Sequence, residues 1–264
     1  MGKLYLIGIG LSHELITLRA LKIVKSVRKV FIDKYTGILP DNGEEIKKVV
    51  GRELIPLSRK DLEEKFSQVI IKELEKGDVA ILVPGDPLVA TTHIALIIDA
   101  VKRGFSFEII PGVSIIPTAL TMSGLMVYKI GKIATITYPH NGIIYEYPYN
   151  IIKENDSRNL HTILLLELDA EKGIAMKVSE AIDILFKIES IRREGVIRPE
   201  RLGIGIASLG SSKTNICPLP LKVLRNCNIG DIPHTLILTS PKLHFMEEEA
   251  LEVIRSEFCR AVCK

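Results

Sequence analysis

The chain has 264 residues, of which 47% are hydrophobic and 25% charged, and its formal net charge is +3. The composition is that of an ordinary globular protein, and the length is enough for one large domain or two small ones. The weak positive charge, without a cluster of Lys and Arg, disfavours direct nucleic-acid binding. No apolar run reaches the roughly 20 residues needed to span a membrane. The N-terminal segment resembles a buried strand rather than a secretory leader, so we expect a cytoplasmic protein without membrane association.

Apolar runs and helical periodicity alternate through the first half of the chain. Strands are predicted over residues 4–9, 29–32, 53–57, 79–83 and 105–110. Helices are predicted over residues 17–27, 41–50, 58–76 and 92–103. Ser58 with Asp61 has the spacing of a capping box at the start of the third helix. The strands are apolar on both faces, which indicates a mostly parallel sheet covered by helices.

The second half also alternates, but its connections are short and polar. Strands are predicted over residues 133–138, 162–168, 202–207 and 235–239, and helices over 145–154, 177–193 and 243–258. Such connections favour a mixed sheet over a purely parallel one. We therefore predict an α/β protein of two α/β domains, 1–112 and 113–264, joined by a segment rich in small residues.

A Gly-x-Gly turn ends the first predicted strand. Gly8 and Gly10 allow a ligand to approach the backbone closely. Asp33, at the end of the second strand, stands near the position of a ribose-binding acid in the dinucleotide fingerprint. His13 replaces the third glycine of that fingerprint, which argues against a dinucleotide site. A plain tight turn explains the glycine pair about equally well.

The segment PGDP, which begins at Pro84, follows the fourth predicted strand and is more specific. Gly85 permits a sharp turn, and the proline after Asp86 fixes the backbone. The Asp86 carboxylate either satisfies its own turn or faces a cationic or hydroxyl-bearing ligand. Thr91 is the predicted N-cap of the next helix, and Thr92 and His93 are expected to line the same crevice.

The sequence shows no constellation for covalent or metal catalysis. The four cysteines, Cys217, Cys227, Cys259 and Cys263, form no CxxC pair and are interpreted as packing or surface thiols. We find no P-loop lysine, no nucleophile elbow and no metal-spaced ligands, so no metal is predicted. This favours a reaction in which the cofactor is already activated and the protein mainly orients the reactants.

Four segments, in this order, carry a resemblance: YLIGIGL…LITLRAL, LVPGDPLVATTH, PGVSI and IPHTLIL…KLHFMEEEAL. Across essentially the whole chain they resemble the diphthine synthase family, a branch of the tetrapyrrole-methylase-like methyltransferases. The resemblance implies two α/β domains with the cofactor in the cleft between them, in a homodimer. It implies methyl transfer from S-adenosylmethionine to the amino group of a 3-amino-3-carboxypropyl-histidine in translation elongation factor 2, which gives diphthine in diphthamide biosynthesis.

The family's cofactor contacts, carried over to matching positions, also follow from the resemblance. They fall on eight residues: Leu11, Asp86, Val89, Ser114, Ile115, Leu166, Leu209 and His234. We name no catalytic residue, because an amine that is partly neutral can attack the sulfonium methyl once the two are aligned. The alternatives are a tetrapyrrole or ribosomal RNA methyltransferase of the same fold, and a non-catalytic nucleotide-binding module. The number of methyl groups added, and any carboxyl methyl ester, stay open.

Overall fold

The computed structural model describes residues 2–39 and 43–263. Contacts divide the chain into two compact units. The first unit comprises Met1–Ile115 with Asp169–Gly173, and the second comprises Ile116–Leu168 with Ile174–Lys264. The short segment Asp169–Gly173 thus groups with the first unit although it lies in the second half of the sequence. The domains predicted as 1–112 and 113–264 stay a prediction, because compactness does not test independent folding.

The first unit contains a five-stranded sheet in which every neighbouring pair is parallel. Its strands are β1 (Lys3–Gly8), β2 (Lys29–Asp33), β3 (Ile55–Leu57), β4 (Val79–Val83) and β5 (Ser106–Ile110), in the order β3-β2-β4-β1-β5. Its helices are α1 (Leu18–Ser26), α2 (Glu44–Val50), α3 (Arg59–Glu63), α4 (Lys72–Leu74) and α5 (Ile94–Lys102), with a 3₁₀ turn at His13–Leu15. The predicted parallel sheet is confirmed.

Alternating residues of the central strand explain why this sheet is buried on both faces. Val79, Ile81 and Val83 belong to one apolar cluster, while Ala80 and Leu82 belong to another. A parallel strand with helices on both sides requires apolar residues at every position. The continuous apolar run that predicted β4 therefore contributes side chains to two hydrophobic cores, one on each face of the sheet.

The predicted helix over residues 58–76 is interrupted. Ser58 and Asp61 form the expected capping box, but the helix ends at Glu63. A π-helical turn, Ser67–Ile71, precedes α4, and both Ile70 and Ile71 are buried. Tertiary burial of two consecutive residues overrides the regular helical period here. The predicted start of α2 at Asp41 lies outside the described residues.

The second unit contains a mixed five-stranded sheet, as predicted. Its strands are β6 (Ala134–Ile136), β7 (Thr162–Leu166), β10 (Leu202–Ala207), β11 (Asn215–Pro220) and β13 (His234–Leu238), in the order β11-β10-β13-β7-β6. In this sheet the β6–β7 pair is parallel, and the pairs β7–β13, β13–β10 and β10–β11 are antiparallel. Two short ladders pair β8 (Leu168–Asp169) with β9 (Ile174–Ala175), and β12 (Cys227–Asn228) with β14 (Val262–Cys263).

Helices α7 (Tyr147–Ser157), α8 (Val178–Arg192), α9 (Leu221–Leu224) and α10 (Phe245–Phe258) complete the second unit, with a 3₁₀ turn at Val127–Lys129. Helix α6 (Ile115–Met122) occupies the small-residue segment for which no helix was predicted. Strand β11 was also missed, because Pro218 and Pro220 argue against a strand. It lies at the sheet edge, where proline is tolerated. No helix within the described ranges is long and apolar enough to cross a membrane.

The interpretation of the cysteines as thiols is wrong. Cys217 of β11 is bonded to Cys259, and Cys227 of β12 is bonded to Cys263, so all four form disulfides. The partners are 42 and 36 residues apart in sequence. Spacing along the chain cannot reveal such long-range pairs, because they depend on where the segment after α10 packs.

Candidate active site

The carboxyl ends of three neighbouring strands, β4, β1 and β5, meet at one edge of the parallel sheet. Five of the predicted cofactor residues follow this edge: Leu11 after β1, Asp86 and Val89 after β4, and Ser114 after β5 with Ile115, the first residue of α6. Ser114 is buried and the other four are half-buried. The carboxyl edge of a parallel sheet is where α/β proteins bind ligands, so the fold gathers these five residues at a suitable place.

Bare backbone fills the space between these loops. The exits of β1 and β4 are joined by two hydrogen bonds, from the Gly10 amide to the Gly85 carbonyl (3.1 Å) and from the Gly85 amide to the Gly10 carbonyl (2.8 Å). A Cβ added at Gly112, after β5, would lie 2.1 Å from the Gly85 carbonyl oxygen. A side chain at Gly112 would force the loops after β4 and β5 apart, so close approach requires glycine there. Gly10 and Gly85 have positive φ values of 77° and 71°, so the turn itself favours glycine at these two positions.

The Asp86 carboxylate ties two of these loops together. One oxygen accepts the Leu88 amide at 3.0 Å, and the other accepts the Gly112 amide at 3.2 Å. The first bond is the turn contact that sequence reasoning considered, and the second is a contact between loops that it missed. Because a carboxylate offers about four acceptor directions, Asp86 keeps capacity for a ligand beyond these two bonds.

Asp33 has no accessible surface to offer a ribose. Its side chain is 0% exposed, and its carboxylate accepts the amides of Tyr35 (2.7 Å) and Thr36 (3.2 Å). The Nε2 atom of His93 lies 3.3 Å from the second carboxylate oxygen. Burial by itself raises the pKa of Asp33, but hydrogen bonds from His93, Thr36 and Tyr35 outweigh it and lower that pKa below 3.8. The nucleotide-binding alternative thus loses the Asp33 carboxylate that was expected to bind the ribose.

The segment before α5 differs from its prediction. His93, rather than Thr91, is the N-cap, and the helix begins at Ile94. The Thr91 hydroxyl instead donates to the Pro87 carbonyl at 2.7 Å. Thr92 is exposed, whereas His93 is buried and contacts Pro87 and Asp33. The expectation that His93 lines a crevice is wrong, because its ring nitrogens are used inside the unit.

The second unit gathers the other three predicted residues at one edge of its own sheet. Strand β13 is antiparallel to both β7 and β10, so its amino end lies beside their carboxyl ends. Leu166 is the last residue of β7, Leu209 follows β10, and His234 begins β13. All three are buried.

Both ring nitrogens of His234 are engaged. Nδ1 accepts the Val178 amide at 3.2 Å, and Nε2 donates to the Gly230 carbonyl at 3.1 Å. Burial lowers the pKa of His234, although the Gly230 carbonyl acts in the opposite direction. The ring is therefore held neutral, with no free lone pair, and this geometry opposes a role as general base.

A buried carboxylate, Glu247, organises the amino end of α10. It accepts hydrogen bonds from the His161 ring (Nε2, 2.9 Å), the Lys129 ammonium (2.6 Å) and the amides of Met126 and His244 (both 2.9 Å). Burial raises the pKa of Glu247, but these four donors lower it to about 2. Sequence reasoning missed this cluster, although the His244 and Glu247 spacing is that of a capping box.

Comparisons with known proteins identify the family of this chain. Residues 3–190 match the family model of Tetrapyrrole (Corrin/Porphyrin) Methylases. The diphthine synthase of Sulfurisphaera tokodaii is 36% identical over 254 residues, covering 96% of this chain and 99% of that protein. That of Staphylothermus marinus is 39% identical over 257 residues, covering 95% and 93%. The chain belongs to the diphthine synthase family, within the tetrapyrrole methylases.

A crystal structure of a diphthine synthase superimposes with a TM-score of 0.85 at 31% identity, covering 97% of this chain and 96% of that one. Membership of a methylase family makes this member of the diphthine synthase family a methyltransferase. Across residues 2–39 and 43–263, no three His, Cys, Asp or Glu side chains are grouped to hold a metal ion.

Proposed function

We propose that this methyltransferase uses S-adenosylmethionine to methylate the amino group of a 3-amino-3-carboxypropyl-histidine in translation elongation factor 2, giving diphthine in diphthamide biosynthesis. Relatives named diphthine synthase, 36–39% identical over nearly the full chain, support this acceptor. The observation that carries the cofactor assignment is the gathering of Leu11, Asp86, Val89, Ser114 and Ile115 at one carboxyl edge, on loops packed through glycine backbone.

The residues of the first unit fit such a cofactor in chemical type. Leu11, Val89 and Ile115 are half-buried apolar side chains that suit the uncharged parts of the ligand. Asp86 offers remaining acceptor capacity to hydroxyl or amino groups. When bound, the sulfonium supplies an activated methyl group. In the second unit, Leu166, Leu209 and His234 are proposed as further contacts, with His234 acting largely through its backbone.

The chain's own contribution to the reaction is alignment. Holding two reactants in line converts a bimolecular step into an effectively unimolecular one. An amine acceptor must be neutral, and removal from water raises its neutral fraction. His234 is already neutral and fully hydrogen-bonded, so we propose no histidine base at this position.

A homodimer in the cytoplasm completes the proposal. Ile94, Ile98 and Val101 form one stripe on α5, and 50%, 47% and 48% of their respective surfaces are exposed. Apolar residues at this helical spacing suit burial against a second copy. Sedimentation equilibrium tests this directly, and a monomer at micromolar concentration would contradict the dimer. The expected position of the cofactor between the domains stays a prediction.

Intact-mass spectrometry tests the function most directly. The chain is incubated with S-adenosylmethionine and elongation factor 2 that carries the unmethylated side chain, and the factor should gain the mass of one or more methyl groups. S-adenosylmethionine and S-adenosylhomocysteine should raise the melting temperature of the chain, whereas NAD should not. Stabilisation by NAD alone, or methylation of a tetrapyrrole or ribosomal RNA but not of the factor, would contradict the proposal.

A further inference from the structure

The loop after β4, residues 84–91, is fastened through one of its own carbonyl groups. We call this segment the GDP loop, after its sequence Gly85-Asp86-Pro87. The Pro87 carbonyl accepts two donors, the Thr91 hydroxyl at 2.7 Å and the Nδ1 atom of His93 at 3.2 Å. Pro87 itself is buried. The carbonyl is therefore held from within the loop and from the start of α5.

The other side of the His93 ring is fastened to a different strand. Nε2 lies 3.3 Å from a carboxylate oxygen of Asp33, which ends β2. The two residues are 3% and 1% exposed, so water does not screen their contact. A carbonyl and a carboxylate both accept hydrogen bonds, and a neutral imidazole donates from one nitrogen only. Each ring nitrogen of His93 thus faces an acceptor.

These contacts hold a backbone conformation that is intrinsically unfavourable. Ala90 has a φ of +57°, in the left-handed region that non-glycine residues rarely adopt. Such a conformation persists where surrounding contacts enforce it, and it often accompanies a binding site. Val89 stands between this strained residue and the fastened Pro87 carbonyl. The position of Val89 therefore depends on the contacts of His93 and Thr91.

We propose that His93, backed by Asp33, is a positioning residue for the methyl donor: it holds the Pro87 carbonyl and thereby the GDP-loop backbone at Val89, without touching the donor itself. The inference rests on the proposed binding of S-adenosylmethionine at this edge. This role differs from general stabilisation of the fold, because the buried His93–Asp33 pair fixes one particular loop, the GDP loop. Loss of the coupling weakens donor binding more than it slows the methyl transfer.

Calorimetric titration with S-adenosylhomocysteine separates the two halves of the contact. His93→Gln keeps a donor near the position of Nε2, and His93→Asn keeps one near Nδ1. We expect a rise in Kd of about tenfold for His93→Gln, which loses the Pro87 contact, and a smaller rise for His93→Asn. The KM for S-adenosylmethionine should rise in parallel, while kcat changes less than about threefold.

His161→Gln is the matched control, because His161 is equally buried and contacts a carboxylate in the second unit. It should lower the melting temperature and leave the Kd unchanged. Thr91→Val, which removes the second donor to Pro87 from a half-buried position, should raise the Kd about threefold and keeps the test open if His93 variants do not fold.

Two results with the variants would overturn the inference. One is wild-type affinity in folded His93→Gln or, if the His93 variants do not fold, in Thr91→Val. The other is an equal loss of affinity in His161→Gln, which would indicate general destabilisation. A wild-type chain that binds no S-adenosylhomocysteine overturns the proposed cofactor and this inference with it, whereas a wild-type chain that binds it but ignores elongation factor 2 leaves the inference intact.

Discussion

Buried histidines in the two units have opposite hydrogen-bond surroundings. In the second unit, His161 and His234 each accept a backbone amide at Nδ1 and donate from Nε2. Burial lowers the pKa of both, which fits neutral rings. In the first unit, His93 has an acceptor beside each ring nitrogen. In the second unit, each buried histidine thus accepts one hydrogen bond and donates another. In the first unit, His93 lies between a loop carbonyl and a carboxylate.

The carboxylates follow the same division. Glu247 receives four donors and joins α10 to the 3₁₀ turn and to His161, the residue before β7, which is a structural role. Asp33 and Asp86 instead hold loops at the carboxyl edge of the first sheet. We therefore expect substitutions at the second unit's carboxylate to reduce stability, and substitutions at the first unit's loops to reduce cofactor affinity.

Glu247→Leu should have the largest effect on stability. It removes the buried carboxylate that pairs with the Lys129 ammonium, which keeps only the Lys242 carbonyl, and it leaves the Met126 and His244 amides without their acceptor. Breaking a buried charged pair in this way costs about 3–5 kcal/mol. Chemical denaturation measures the loss. Glu248→Leu is the control, since Glu248 is exposed on the same helix and should change stability by no more than about 0.5 kcal/mol. Equal losses would contradict a specific role for Glu247.

Acid should remove the same stabilisation in the wild-type chain. The pKa of Glu247 is lowered from 4.5 to about 2 in the folded state. A lowered pKa means that the carboxylate stabilises the fold above its unfolded pKa, and that this contribution is lost as the pH falls from about 4.5 towards 2. Denaturation midpoints across this range should fall less steeply in Glu247→Leu. Parallel curves for the two proteins would show that other groups dominate.

Loss of either disulfide, taken singly, should come next in size. The bonds join residues 42 and 36 positions apart, and cross-links over such distances stabilise by about 2–4 kcal/mol each through the unfolded chain. Melting with and without a phosphine reductant measures the effect, with Cys259→Ser and Cys263→Ser separating the two bonds. Since both bonds belong to the second unit, affinity for S-adenosylhomocysteine should persist below the reduced melting temperature. A melting temperature indifferent to reductant would contradict the pairing.

Asp86→Ala should reverse the pattern and affect binding more than stability. It frees the Gly112 amide and loosens the GDP loop, so we expect a Kd about tenfold higher, or about 1.4 kcal/mol. Asp78→Ala is the matched control, because Asp78 also accepts a backbone amide, that of Lys3, at the opposite end of β4. It should lower the melting temperature without changing the Kd. Unchanged methylation by Asp86→Ala at limiting cofactor would reduce Asp86 to a turn former.

His234→Ala should have the smallest effect on the reaction. General-base catalysis is worth about 10²–10⁴-fold in rate, whereas a contact made through the backbone survives a side-chain change. We expect turnover at saturating cofactor to fall by less than about tenfold, with the pH–rate profile unchanged in shape. Loss of a limb near the imidazole pKa, with a much larger fall in rate, would identify His234 as the base and contradict its observed hydrogen bonds.

Much of the fold was predictable because its signals are local. The apolar run of β4 and the capping box at Ser58 are properties of a few consecutive residues, and the structure confirms both. Strand β11 was not predictable in the same way, because its prolines are acceptable only at an edge. For the candidate site, the sequence located the loops that carry Leu11, Asp86 and Ser114, but not the hydrogen bonds that hold those loops.

The sequence by itself determined the alternation of strands and helices, the glycine turns that end β1 and β4, and the family. These features depend on periodicity, turn chemistry and motif order, which are properties of consecutive residues. Only the tertiary structure decided which acceptor each donor meets. Asp86 reaches the Gly112 amide, 26 residues away, and Asp33 takes His93 as its partner rather than staying open to a ligand. The physical reason is that hydrogen bonds and disulfides form between atoms a few ångströms apart, and the packing of strands and loops sets that distance.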